Sequence, residues 1–138
     1  MHPGGKQVTR TYGYVGNVVW QLEQILKAPR GVVDKQVLYL GDRPDDIYKW
    51  VNEFSLALRG KPARRVPRAA LAPIGWVGDG LAKIGKQFPL TSSRFNNMIS
   101  DYPANTAKTF DMLGEPPYSL KEGVEETVIW LNQVGWEH

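Results

Sequence analysis

The run Arg10–Leu26, RTYGYVGNVVWQLEQIL, decides how the rest of the chain is read. It starts inside Val8–Val15, where polar and apolar residues interleave with Tyr12 and Tyr14, the pattern of a short strand. Val18, Val19, Leu22, Ile25 and Leu26 then recur at helical spacing and predict a helix with one apolar stripe over about two and a half turns. Pro29 and Gly31 stop that helix. Beyond it, Gln36–Leu40 (QVLYL) is a compact run of strand-forming residues closed by Gly41, and it reads as a buried strand.

Further along, Asp45 or Asp46 caps a second helix that carries Ile47, Trp50, Val51, Phe54 and Leu58 on one side. Gly60 and Pro62 end it. Residues 61–68 (KPARRVPR) are basic and extended, because two prolines oppose a helix there. Residues 69–86 are apolar but contain Gly75, Gly78, Gly80 and Gly85, which predicts a weak or broken helix. Thr91–Ser93 supplies caps for a short helix through Met98 and Ile99, and another runs from about residue 105 to Leu113, stopped by Gly114. The last helix start is the clearest: Ser119 and Glu122 have the spacing of a capping box, followed by the stripe Leu120, Val124, Val128 and Leu131, with Gly135 at the end. Two strands cannot form a sheet that covers helices on both faces, so the chain reads as a single partial domain spanning residues 1–138.

Composition narrows the function classes. A chain of 138 residues with 42% hydrophobic and 22% charged residues is neither a disordered tail nor a membrane span. No apolar run approaches the roughly 18–20 residues that a crossing helix needs, and Met1–Lys6 lacks the apolar stretch of a secretory leader. Cytoplasmic residence without a membrane partner is therefore the expectation. Zero cysteines exclude disulfides and thiolate chemistry, and the two histidines, His2 and His138, lie at the extreme ends, away from any packed general base or metal cluster. The net charge of +3 is mild and identifies no partner.

Four motifs have a chemical and a plain reading. Gly75-Trp-Val-Gly78-Asp-Gly80 looks superficially like a phosphate loop, but its spacing differs from G-x-G-x-x-G and no strand precedes it. Lys61, Arg64, Arg65 and Arg68 form a basic cluster interleaved with Pro, Ala and Val instead of the aromatics that stack on bases, which favours a solvated face over nucleic-acid binding. Asp45 and Asp46 are adjacent at a helix start, where capping is the natural role. Five tryptophans read as core and interface anchors. Arg10 and Arg94, the latter just after Thr91-Ser92-Ser93, have the fork that suits a diphosphate, although on physical grounds a surface ion pair is the commoner role.

Taken together, these segments resemble a family. RTYGYVGNVVWQLEQIL (10–26), VLYLGD (37–42), the helix with Trp50 and Phe54, and DYPANTAKTFDMLGEPPYSLKEGVEETVIWL (101–131) follow, in order, the later segments of NAD-dependent epimerases/dehydratases, the extended short-chain dehydrogenases. The resemblance covers the C-terminal portion of that family alone. It implies an α/β, mainly helical fold with one or two short strands, forming the substrate-binding region beside a dinucleotide-binding (Rossmann) half that this chain does not contain. The engine of the family is missing as well: Tyr12, Tyr14, Tyr39, Tyr48, Tyr102 and Tyr118 all lack a lysine four residues on.

The resemblance implies no catalysis and no cofactor in this chain alone, with NAD(P) bound in the complete enzyme. Arg10 and Arg94 would hold the diphosphate of a nucleotide sugar, and Tyr12, Tyr14 and Asn17 would line the junction with the missing half. Asn17 stands where the family usually has Asp. The expected partners are a nucleotide-sugar or similar substrate and either a Rossmann half or a second copy. The alternative is a non-enzymatic interaction module derived from such a fragment.

Overall fold

The computed structural model describes residues 2–83, 85 and 91–136, which hold seven helices and four short strands. The helices are α1 (Val15–Lys27), α2 (Arg30–Val33), α3 (Ile47–Arg59), α4 (Arg68–Lys83), α5 (Ser92–Ile99), α6 (Ala107–Leu113) and α7 (Leu120–Gln133). The strands form two separate pairs. β1 (His2–Gly4) runs parallel to β4 (Arg65–Pro67), and β2 (Thr9–Arg10) runs antiparallel to β3 (Asp45–Asp46). The mainly helical class matches the expectation, with four small strands in place of one or two.

Helix boundaries follow their caps. Asp46 accepts from the Tyr48 N–H at the start of α3, and Gly60 ends that helix in the left-handed conformation, φ 63°. Thr91 caps α5 as expected, and the Ser119–Glu122 capping box closes in both directions at the start of α7. The helix expected from about residue 105 begins at Ala107. α3 packs on α7, α4 on α5, and α1 on α6.

Three expectations are corrected. The strand over Val8–Val15 shrinks to Thr9–Arg10, because Tyr14 already serves as the N-cap of α1. Gln36–Leu40 is not a buried strand: it has no regular structure, and Val37 and Tyr39 are exposed. A strand exists only through backbone partners, and no neighbouring strand lies alongside this run among the described residues. In the 69–86 region, α4 is continuous through Pro73 and three of the four glycines. Gly75 and Gly78 are buried with Leu71 on the side that packs against α5, where a Cβ on Gly75 would lie 3.3 Å from Ser92 Cα. Close contact between backbones offsets the poor helix propensity of glycine. The rest of that region, at Ile84 and Lys86, lies outside the described residues, as does His138.

The spacing of α1 leaves open which side faces inward, and the structure decides it. Asn17 and Gln21 are each only 1% exposed, whereas Val15 is 67% and Leu26 85% exposed, and Val19 and Leu22 also face outward. The helix is amphipathic, as its spacing predicts, but it buries its amide side against this chain and leaves Val19, Leu22 and Leu26 of its apolar stripe exposed, with Val18 and Ile25 half-buried. Gln21 explains part of this: its side chain donates to the Gly41 carbonyl at 2.8 Å and accepts from the Gly41 N–H at 2.9 Å, so a side-chain amide pairs with backbone as a strand would. The apolar core is correspondingly small, centred on Val8, Ala63, Leu71, Phe95, Phe110 and Val124.

Candidate functional site

A cleft of about 430 Å³ opens between the β2–β3 pair, the start of α3 and the loop joining α6 to α7. Arg10, Tyr12, Arg43, Trp50, Phe110 and Tyr118 are among its lining residues. Sequence order explains the gathering. β2 carries Arg10 and leads to Tyr12, the turn after Gly41 carries Arg43, and the cap of α3 brings Trp50 one turn in. Tyr12 stacks on Trp50 with ring centres 4.8 Å apart and planes 18° from parallel, and Trp50 in turn meets Phe54 at 4.5 Å. The result is a fixed aromatic wall.

Charges line the opposite side. Arg43 sits 4.3 Å above the Phe110 ring and is ion-paired with Glu115. The hydrogen bond to Glu115 raises the affinity of its guanidinium for its proton above the ordinary value. Carboxylates outnumber guanidinium groups in the lining, but each has an internal partner: Asp42 on Asn17, Asp45 on Lys49, Asp46 on the α3 cap, Glu115 on Arg43, and Glu122 on Ser119. Burial works to raise the Asp45 carboxyl, yet Lys49 and the Asp46 N–H outweigh it and hold the group below the usual range.

The sequence-predicted site residues fall in different places. Arg10 lies on the cleft wall, where its Nη2 donates to the Asn97 carbonyl, to Asn97 Oδ1 at 3.1 Å and to the Ser100 carbonyl at 3.2 Å. It thereby serves the last turn of α5, whose carbonyls lack partners within the helix. Its Nε is buried without a hydrogen bond among the described residues. Arg94 is exposed in the first turn of α5 and is not among the residues lining this cleft. Both arginines thus meet α5, Arg10 from β2 at its last turn and Arg94 within its first, but they do not share the cleft.

Tyr12 and Tyr14 are separated only by Gly13 but face different neighbours. Tyr14 stands edge-on to Tyr118 at 5.2 Å and packs directly over Gly123. Burial, then the nearby Glu126 and Tyr118, raise its hydroxyl above the ordinary phenol value. Asn17 lies beneath this group. Its Nδ2 donates to Asp42 Oδ1 at 2.6 Å and to the Tyr118 carbonyl at 2.8 Å, while its Oδ1 accepts from the Tyr118 N–H at 3.0 Å. Asn17 therefore ties the Gly41–Asp42 turn to the start of the α7 cap.

Sequence reasoning missed Arg43, Asp42 and Tyr118. The available signal was Gly41-Asp42-Arg43-Pro44-Asp45-Asp46, a charged turn between two periodic segments, the kind of loop that carries function on a scaffold. Among the described residues no group of acidic or histidine side chains has the arrangement to hold a metal ion, and no helix is long and apolar enough to cross a membrane.

No family model matches the chain, and no curated protein matches it. A solved structure described as the crystal structure of gox2253 shares its fold, with a TM-score of 0.61 and 18% sequence identity. The alignment covers 96% of this chain and 40% of that one, so this chain spans less than half the length of the structure it resembles.

Proposed function

We propose that the chain is the substrate-binding side of an NAD-dependent epimerase/dehydratase and is not catalytic alone. In the complete enzyme, NAD(P) on a Rossmann half would take and return a hydride at the sugar. This chain would hold a nucleotide sugar against that cofactor. The observation that carries the reading is the inverted α1. A helix that buries Asn17 and Gln21 and exposes Val15, Val19, Leu22 and Leu26 is built to be covered. The irregular run Gln36–Leu40, with Val37 and Tyr39 exposed, supports the same reading, as does a fold likeness that occupies 40% of a longer chain.

The cleft supplies the substrate side of the proposal. Arg10 is among the residues lining the cleft and brings a guanidinium charge to it, which suits a diphosphate. The Tyr12–Trp50 stack offers a flat apolar surface beside it. Arg94 would join only through a ligand long enough to leave the cleft. Tyr14 and Asn17 act by shaping the junction.

Titrating the chain with a nucleoside diphosphate, the parent nucleoside and NAD, followed by tryptophan fluorescence, tests the proposal. Binding that depends on the diphosphate, with no saturable response to NAD, supports it. If nothing binds and the chain forms a stable dimer, the interaction-module alternative takes its place.

A further inference from the structure

We infer that the outer face of α4 is a peripheral contact for an anionic membrane surface. This inference is independent of the proposed enzyme reading. From Ala69 to Gly78 the helix carries no charged residue. Its inner side, at Leu71, Gly75 and Gly78, is buried against the protein, so the outer side is what remains for a partner. That outer side is apolar: Pro73 is exposed, Ile74 is 40% exposed, Val77 58% and Trp76 71%. A tryptophan on an outward apolar helix face matches the preference of indole for the level of lipid headgroups.

Charge selects the occupant. The basic run Lys61, Arg64, Arg65 and Arg68 leads directly into the helix. Lys61, Arg64 and Arg65 are exposed, Arg65 lying 3.6 Å over the Tyr48 ring, and the half-buried Arg68 donates to the Lys6 carbonyl at 2.8 Å. A second copy of this chain docked symmetrically on α4 would bring the same basic segment leading into its own α4, and like charges would oppose the contact. An anionic bilayer accepts both the apolar face and the cations. α4 has 16 residues, about 24 Å at the helical rise, against roughly 30 Å of hydrocarbon, so it lies on the surface and does not cross it.

The test is co-sedimentation of the full chain with phosphatidylcholine vesicles, with and without phosphatidylglycerol. Binding is expected to vesicles containing phosphatidylglycerol, weakening as salt rises. Trp76→Glu/Val77→Glu should abolish it while leaving circular dichroism and oligomeric state unchanged, because both side chains are exposed. Lys61→Ala/Arg64→Ala should weaken it about twenty-five-fold, at about fivefold for each basic residue near an anionic surface. The inference is overturned if the chain stays in the supernatant, or if the Trp76/Val77 variant pellets like the parent. It is also overturned if that variant splits a dimer in vesicle-free solution, which would make the face a contact between copies. Loss of pelleting in Val19→Glu/Leu22→Glu with full pelleting in the Trp76/Val77 variant would move the lipid contact to α1.

Discussion

Asn17 donates its side-chain amide to the Asp42 carboxylate at 2.6 Å, in a position where almost none of the residue reaches solvent. The pairing requires a donor. An asparagine supplies that donor, and an ionised aspartate would not.

Asn17→Asp would place a second carboxylate against Asp42 and leave the Tyr118 carbonyl without its donor. A cost of about 3–5 kcal/mol at neutral pH is expected, the scale for an uncompensated buried charge. The new carboxyl, buried beside Asp42, has a folded-state affinity for its proton raised above the unfolded value of about 3.9. Its penalty therefore grows as pH rises above that value and fades as pH falls toward it. Urea denaturation of both proteins from pH 4 to 7 measures this, and a constant difference would show that the charge is not the cause.

Gly123→Ala would set a Cβ 2.8 Å from Tyr14 Cγ and 3.1 Å from its Cβ, closer than packed atoms come. Neither helix can yield easily, since Tyr14 also caps α1 and meets Tyr118. A loss of about 1–3 kcal/mol is expected from this overpacking. Tyr14→Ala should remove most of the additional cost of Gly123→Ala, because the two residues share one contact. Additive losses in thermal denaturation would contradict the close approach.

Glu122 holds the return half of the capping box, accepting from the Ser119 hydroxyl at 2.7 Å and the Ser119 N–H at 2.8 Å. The hydroxyl first and the backbone N–H second hold its carboxyl below the usual 4.5. A depressed folded-state value means that the contribution is fully present above the unfolded value and is lost as pH falls through the folded one. Melting temperatures of the parent and Glu122→Gln should differ at pH 6–7 and converge in acid below the usual 4.5. Equal melting temperatures at neutral pH would remove the ionic contribution from the cap.

The exposed stripe of α1 should make the chain self-associate when no other partner is supplied. Light scattering at high concentration should give more than a monomer, and Val19→Glu/Leu22→Glu should return it to a monomer without loss of helix. A monomeric parent would mean that this surface needs no cover.

Helix caps were legible because they are local: Asp46, Thr91 and the Ser119–Glu122 box each act within a few residues of themselves. The period of α1 was legible too, but its orientation was not, since spacing places a stripe without saying what it faces. Buried amides at Asn17 and Gln21 find partners at Asp42, Tyr118 and Gly41, contacts that no local pattern announces. Gln36–Leu40 has the composition of a strand, and composition cannot supply the neighbour that makes one. In α4, glycines that argue against a helix are the residues that let it approach α5. The candidate cleft was half legible. Arg10 was singled out by its guanidinium fork and Tyr12 through resemblance, whereas Arg43 was signalled only as part of the charged turn 41–46 and Tyr118 reaches the cleft by tertiary folding.

The central claim is that this chain holds substrate and leaves the dinucleotide to another half. Fluorescence titration is suited to it because Trp50 lines the cleft and is stacked on Tyr12. The account predicts no saturable response to NAD. It also predicts a nucleoside diphosphate bound more tightly than its nucleoside, and weakened about ten- to a hundredfold by Arg10→Ala, the scale for a charge-assisted hydrogen bond. Micromolar saturable binding of NAD, or equal affinity for nucleoside and nucleoside diphosphate, would contradict it.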